Sequence, residues 1–394
     1  MTPREIYVVA AARTAIGTFG GALKDVPLTQ LATTAVREAL ERSGAEAASI
    51  GHVVMGNVIP TDTRDAYLGR VAAVEAGIPQ ETPAFNVNRL CGSGLQAIIS
   101  AAQSLLLGDA DIAIGAGAES MSRGPYILPA ARWGARMGDI RATDYMLGIL
   151  HDPFHKIHMG ITAENVAQRD GITREMQDAL AVESQRRAAR AITEGRFKSQ
   201  IVPVEIATRK GTVVFDTDEH VRGDTTLEAL AKMKPAFKTD GSVTAGNASG
   251  LNDGAAAVVL ASADAVKSSR LIPMARLVSY AHAGVDPKFM GLGPVPASRL
   301  ALNRAGLSAK DLDVIESNEA FAAQACAVTR ALELDPAKVN PNGSGISLGH
   351  PVGATGAIIT TKAIYELQRI GGRYALVTMC IGGGQGIAAI FERV

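Results

Sequence analysis

Two cysteines and one histidine sit where glycines let the backbone come close to a bound molecule. Cys91 stands in Val87-Asn88-Arg89-Leu90-Cys91-Gly92-Ser93-Gly94, at the entry to an apolar stretch of helical character. His350 stands in Gly349-His350-Pro351-Val352-Gly353, inside a run with glycines at 343, 345, 349, 353 and 356. Cys380 stands in Met379-Cys380-Ile381-Gly382-Gly383-Gly384, just after an apolar run at 374–379 that reads as a strand. A thiol at a helix N-terminus is expected to ionise more easily, because unpaired N–H groups and the helix dipole favour the anion. Flanking glycines let a carbonyl reach those same N–H groups, which is how an oxyanion hole is made. The arrangement points to acyl transfer through a cysteine. Most free cysteines are small buried hydrophobes. That reading suits Cys326, in the alanine-rich stretch 320–332, but not two thiols and an imidazole that all sit in glycine-lined turns.

The elements that must position these groups occur twice. Ala39-Leu40-Glu41-Arg42-Ser43-Gly44 answers Ala301-Leu302-Asn303-Arg304-Ala305-Gly306 at a shift of 262 positions, and Asp111-Ile112-Ala113-Ile114 answers Arg373-Tyr374-Ala375-Leu376 at the same shift. Ile50, Val53 and Val54 likewise answer Leu312, Ile315 and Glu316. The run at 253–260 resembles 385–392 at a shift of only 132, so the first half holds about 130 extra residues. The expected units are residues 1–120 plus 252–272, an inserted segment 121–251, and residues 273–394. Alternating strand and helix patterns make each half mixed α/β. Leu28, Leu31, Ala32, Ala35 and Leu40 fall at helical spacing before Gly44, and Thr173 can cap a helix that runs to Ile192. The rest of the insertion reads as irregular, a lid rather than a third core. At the same shift Cys91 falls within three positions of the His350–Gly353 turn. If the halves pack about a pseudo-twofold axis, both turns meet at the centre.

Composition narrows the functional classes. Lys+Arg and Asp+Glu both number 39, and aromatic residues are 4%, so neither a basic field nor a stacking platform marks nucleic acid as a partner. Hydrophobic residues at 47% and charged residues at 20% fit a globular enzyme with a large core. Three cysteines cannot complete a disulfide framework, the N-terminus reads as a short strand rather than an export signal, and no membrane span is expected. The expectation is a cytoplasmic protein.

Four segments together resemble the thiolases, and the resemblance runs over the whole chain. Asn88-Arg89-Leu90-Cys91-Gly92-Ser93-Gly94-Leu95 is similar to the segment around their nucleophilic cysteine. The stretch from Asn340 through Gly349-His350-Pro351 to Thr355-Gly356 is similar to their histidine segment, with Ser344 replacing a frequent glycine. Cys380-x-Gly382-x-Gly384-x-Gly386 resembles the segment of their second cysteine, and Asn318-Glu319-Ala320-Phe321 their asparagine motif. The resemblance implies a thiolase fold of two repeated halves in five αβαβα layers, with an inserted loop domain and usually a homotetramer. It implies reversible joining of two acetyl-CoA units to acetoacetyl-CoA and thiolysis of short 3-ketoacyl-CoA, with coenzyme A as substrate and no permanently bound cofactor. The roles it implies are Cys91 as nucleophile, His350 as its base and Cys380 as acid/base at the α-carbon. Asn318 would hold a water at the enolate oxygen, and the N–H groups of Cys91 and Gly382 would form a second oxyanion hole. It places the coenzyme against Leu150, His158, Met159, Arg222, Phe237, Ser249, Met290, Ala320 and Phe321.

Other readings are weaker. His151, His155 and His158 have ligand-like spacing, but Asp152 is the only nearby carboxylate, so no metal is expected. Gly115-x-Gly117 does not continue into a helix and is no dinucleotide fingerprint. A ketoacyl synthase acting on a carrier protein would use two histidines, or histidine and asparagine, in place of Cys380. A degradative relative of longer chain range shares all four segments. A lipid-binding relative without activity would have no need of both cysteines, His350 and Asn318.

Overall fold

Runs rich in alanine, valine and isoleucine build the strands. In the computed structural model, which describes residues 4–394, these are β1 (Ile6–Thr14), β2 (His52–Gly56), β3 (Ala84–Val87), β4 (Ile112–Ser120), β5 (Asn252–Ser262), β6 (Ala275–Gly284), β7 (Val314–Ser317), β8 (Tyr374–Ile381) and β9 (Gln385–Arg393). They follow one another as β7-β8-β9-β6-β1-β5-β4-β2-β3 in an eleven-stranded sheet that also takes in two short strands. The middle of this sheet is a hinge between two layers. β1 and β6 share only the pairs Tyr7 with Arg276 and Val8 with Ala275, whereas β4 and β5 pair over nine positions. The internal repeat is visible in the pairing. β1-β5-β4-β2 runs antiparallel, antiparallel, parallel, and β6-β9-β8-β7 does the same. Each first strand also carries a register shift, after Val8 and after Leu277.

Seven helices complete the framework: α1 (Leu28–Ser43), α2 (Ser93–Leu107), α3 (Met159–Asp170), α4 (Arg174–Thr193), α5 (Pro294–Ala305), α6 (Ala322–Ala331) and α7 (Thr355–Ile370). The apolar stripe of α1 covers β1, β5 and β4, and Gly44 ends it at φ 69, a left-handed cap. α5 covers β6 and β9 on the other outer face. α2 and α7 lie between the layers, α2 on β4 and β2, α7 on β8, β7 and β5. The order is helix, sheet, helix, sheet, helix. The stretch Leu90–Leu107, at mean hydropathy 1.4, is long and apolar enough to cross a membrane, contrary to the expectation that no stretch is. It is apolar because α2 packs against protein on both sides; its residues from Ser93 to Ile99 are all buried.

The insertion holds more order than its composition promises. Thr173 caps α4 by accepting from Met176 N at 3.3 Å. α3, a helix the sequence reading leaves irregular, buries Met159, Ala163, Val166 and Ala167 against Met290, Phe321 and Ala323. This is a small core of its own, shared with the C-terminal half. Its periodic face is only four residues long and has glycine at its second position, so the pattern is weak in sequence alone. Arg13 ties the insertion to β1. Its guanidinium, fully buried, donates to Asp218 at 2.8 and 2.9 Å and to Gln200 Oε1 at 2.8 Å.

The two central helices cross at glycines. A Cβ on Gly94 would lie 2.7 Å from Ala357 N, and one on Gly356 would lie 2.2 Å from Leu95 N. These contacts are mirror images, because the 262-position shift relates 94 to 356 and 95 to 357. The pseudo-twofold axis passes between them. Backbone faces backbone here, so no side-chain movement can make room for a methyl group. Gly356→Ala should therefore lower stability by about 1–3 kcal/mol, the range for overpacking. Gly148→Ala, whose Cβ meets nothing within 4 Å, should leave the urea midpoint in place. Equal midpoints for the two variants would contradict the close crossing.

Candidate active site

The turn before α2 is wound tightly enough to present Cys91 at the helix entrance. Leu90 takes φ 45, Arg89 N donates to Ser93 Oγ at 2.9 Å, and Ser93 Oγ donates to Leu90 O at 2.6 Å. At the pseudo-equivalent end of α7, His350 N donates to Asn252 Oδ1 at 2.9 Å. Its Nδ1 lies 2.7 Å from Thr355 Oγ1, and the Thr355 hydroxyl donates to Pro351 O at 2.9 Å. With the hydroxyl proton so used, Nδ1 is the donor and Nε2 keeps its lone pair. That is the tautomer of a base. Asn318 follows β7 and brings Nδ2 to 3.4 and 3.5 Å from the two ring nitrogens, while its Oδ1 is buried without a protein partner. Cys380 closes β8 opposite Gly386 of β9.

Cys91, His350, Cys380 and Gly382 line one cavity of about 380 Å³. The N–H groups of Gly382 and of Cys91 itself face the Cys91 sulfur. Burial nevertheless pushes this thiol up to about 11, with the Glu119 carboxylate adding to the rise. The sequence expectation of an easily ionised Cys91 is corrected on this point: loss of water outweighs the helix terminus. Burial also raises the Cys380 thiol, with Cys91 beside it contributing, and lowers His350 to about 4. At neutral pH the site therefore rests with two thiols and an uncharged imidazole.

An aromatic stack forms the mouth. His158 stacks on Phe237 with centroids 4.6 Å apart, and Phe237 meets Phe321 edge-on at 6.2 Å. His158 Nδ1 accepts from Gly160 N at 3.0 Å, which fixes the ring that lines the cavity, and the exposed His151 meets it edge-on at 5.2 Å while its Nδ1 bonds Leu147 O at 2.9 Å. Leu150, Met159, Ser249, Met290 and Ala320 line the same cavity. Two anticipated residues stand apart. Asn318 touches His350 from behind the lining, and Arg222 is exposed with its guanidinium on the carbonyls of residues 219–221. The structure adds Val58, Leu90, Met121 and Val352, an apolar wall beside Cys91, together with Thr355 and Glu119. Thr355 lies within the histidine segment and was within reach of sequence reasoning. Val58 and Met121 carry no signal, since their place depends on how distant loops meet.

Residues 6–264 match "Thiolase, N-terminal domain" and residues 271–393 match "Thiolase, C-terminal domain". The chain belongs to the thiolase family. It is 68% identical over 392 residues to "Beta-ketothiolase BktB" of Cupriavidus necator, covering 99% of this chain and 100% of that one. It is 51% identical to an acetyl-CoA acetyltransferase of Syntrophomonas wolfei, over 99% of each. Among solved structures, human mitochondrial 3-ketoacyl-CoA thiolase superimposes with TM-score 0.97 at 46% identity over 99% of both chains. Its complex with CoA gives 0.96 at 46% identity, covering 99% of this chain and 98% of that one.

The low pKa of His350 in this thiolase has a consequence for stability. An unfolded histidine takes up a proton near pH 6.5, whereas folded His350 does so only near 4. Its contribution is thus present above pH 6.5 and is lost as pH falls toward 4, by about 3 kcal/mol at one site. Urea unfolding measured across that window should show stability falling with acid, and more steeply in the wild type than in His350→Asn. The same slope in both proteins would place the titration elsewhere.

Proposed function

We propose that this thiolase reversibly joins two acetyl-CoA molecules into acetoacetyl-CoA and CoA, and cleaves short 3-ketoacyl-CoA, with the acyl group carried on Cys91. It is an acyltransferase. What supports the assignment of roles is one observation: two thiols and a base-form imidazole line a single cavity in which two N–H groups face the Cys91 sulfur. His350 Nε2 takes the Cys91 proton as the sulfur attacks the thioester carbonyl. The bond from that carbonyl to the sulfur of CoA then breaks, and the departing CoA leaves as a thiol with the proton that His350 returns. The acyl oxygen is held by the N–H groups of Cys91 and Gly382. His350 next takes the thiol proton of Cys380, and the resulting Cys380 thiolate removes a proton from the methyl carbon of a second acetyl-CoA, whose enolate oxygen is held by the protonated His350 and by a water on Asn318. The unpartnered Asn318 Oδ1 supports that water. The enolate carbon attacks acyl-Cys91, and the Cys91 sulfur leaves, taking the proton back from His350.

The pantetheine of CoA would run past Leu150, His158, Met159, Phe237, Ser249, Met290, Ala320 and Phe321, with Arg222 at the surface for the nucleotide end. Residues 121–251 would cover it as a loop domain between residues 1–120 plus 252–272 and residues 273–394. A homotetramer is supported by Trp133 and Met137, apolar side chains 88% and 92% exposed near the tip of one surface hairpin. Three unpaired thiols support a cytoplasmic setting.

The two thiols separate by experiment. Cys380→Ser keeps size but provides a far poorer acid/base. Given acetyl-CoA, this variant should accumulate an acetyl group on Cys91, found by peptide mass spectrometry. It should make almost no acetoacetyl-CoA and should cease to exchange the methyl protons of acetyl-CoA with deuterium. Cys91→Ala should acquire no acetyl group. Acetyl on Cys380 in the wild type would reverse the roles, and undiminished exchange in the serine variant would make His350 the α-carbon base.

A further inference from the structure

A carboxylate with no cation beside it lies behind the nucleophile. Glu119, near the end of β4, is fully buried. Its Oε1 accepts from Asn57 Nδ2 at 2.8 Å and Ile59 N at 3.0 Å; its Oε2 accepts from Gly353 N at 2.8 Å and Val58 N at 3.1 Å. Each oxygen thus faces two donors, and a carboxyl proton would find no acceptor among them. The four N–H groups come from two segments that do not follow one another in sequence. Residues 57–59 leave β2 and carry Val58 into the cavity wall. Gly353 belongs to the turn that carries His350, next to Val352 on the same wall. A Cβ on Gly353 would stand 2.6 Å from Glu119 Oε2, so glycine is what lets that N–H reach the carboxylate.

We propose that Glu119 is a positioning residue for acyl transfer: its carboxylate clamps the His350 turn to the Val58 wall and fixes the space beside Cys91 in which the acyl group is held. The inference rests on Cys91 as the acyl carrier. The clamp is electrically asymmetric as well as geometric. The titratable groups around Cys91 are Glu119 behind it, His350 and Cys380 lining its cavity, and Asp253 of β5, next to the residue that pairs with Glu119 on the adjacent strand. Asp253 is held by Ser122 N at 2.9 Å and Ser122 Oγ at 2.5 Å. Burial pushes the Glu119 carboxyl up to about 8 against the pull of its N–H donors, so its charge develops as pH rises past that point, and there it opposes ionisation of Cys91. At neutral pH burial is what keeps the sulfur protonated, and Glu119 acts through the position of the two segments it joins.

Glu119→Gln removes the charge and turns an N–H pair toward two of the four donors. In this variant kcat for thiolysis of acetoacetyl-CoA should fall about 10–100-fold, the cost of a small misplacement at a reacting centre. KM should stay within about threefold. Alkylation of Cys91 by iodoacetamide at pH 9, above the point where Glu119 ionises, followed by peptide mass spectrometry, should become at least about threefold faster as the opposing charge is lost. A purely structural residue would lower the unfolding midpoint without speeding alkylation. A folded Glu119→Gln protein with wild-type kcat, or with alkylation no faster than wild type, overturns the proposal. If the glutamine variant does not fold, Glu119→Asp serves instead. It keeps the charge but shortens the reach, so kcat should fall while alkylation is unchanged, and wild-type kcat there overturns the proposal. Alkylation needs no turnover. Wild-type protein inactive on acetoacetyl-CoA would count against the functional reading, and the alkylation arm would still judge Glu119.

Discussion

The close approach of two pseudo-equivalent helices at Gly94 and Gly356 is the constraint on which the site depends. Among the described residues, α2 and α7 are the long elements with sheet on both sides, and their N-terminal turns carry Cys91 and His350. Bringing backbone within 2.2–2.7 Å of a would-be Cβ leaves no play between the helices. Two turns that are 259 positions apart in sequence are then held as parts of one rigid body. Neither half contains a complete site. The duplication supplies two similar frames, and the chemistry comes from their differences: a thiol at the head of one central helix, and an imidazole at the head of the other.

The surrounding polar groups serve that arrangement. A buried Lys362 on α7 gives its ammonium to Glu316 of β7 at 2.7 Å and to Gly343 O at 2.6 Å, which anchors the start of the glycine run leading to His350. Such a pair is costly to desolvate, and it stabilises best by fixing where a loop goes. Asn340, at φ 48, brackets Ser317 through both its amide groups, so the end of β7 is set just before Asn318. The insertion contributes from the other side. α3 packs Met159 into the cavity wall, while Arg13 and Asp218 secure the insertion's far end on β1.

Much of this was legible in the sequence, for reasons that differ by residue. Cys91, His350 and Cys380 were visible because glycines around a reactive group record a close backbone approach. The repeat was visible because both halves bury the same pattern, and the 262-position shift relates the glycines at the crossing even though they share no role in catalysis. α3 was not visible, since its apolar face exists to meet Met290 and Phe321 from distant segments. Glu119 and Val58 were hidden for a related reason: an acid inside a strand means little until four N–H groups are seen to converge on it. The electrostatics was the least legible part. A helix entrance by itself argues for an acidic thiol, and only the depth of burial reverses that sign.

That reversal gives the account its mechanism: two neutral partners at rest, with ionisation of Cys91 deferred until a thioester is in place and His350 accepts the proton. Burial disfavours both the thiolate and the imidazolium, so the ion pair forms only when the developing charge on the substrate oxygen is met by the Gly382 and Cys91 N–H groups. The most direct test is the ultraviolet absorbance of the thiolate in substrate-free protein, wild type minus Cys91→Ala, followed as a function of pH. The account predicts no Cys91 thiolate at neutral pH and its appearance only as the pH approaches about 11. A thiolate already present near neutrality, disappearing with acid as an ion pair with His350 would, would contradict it.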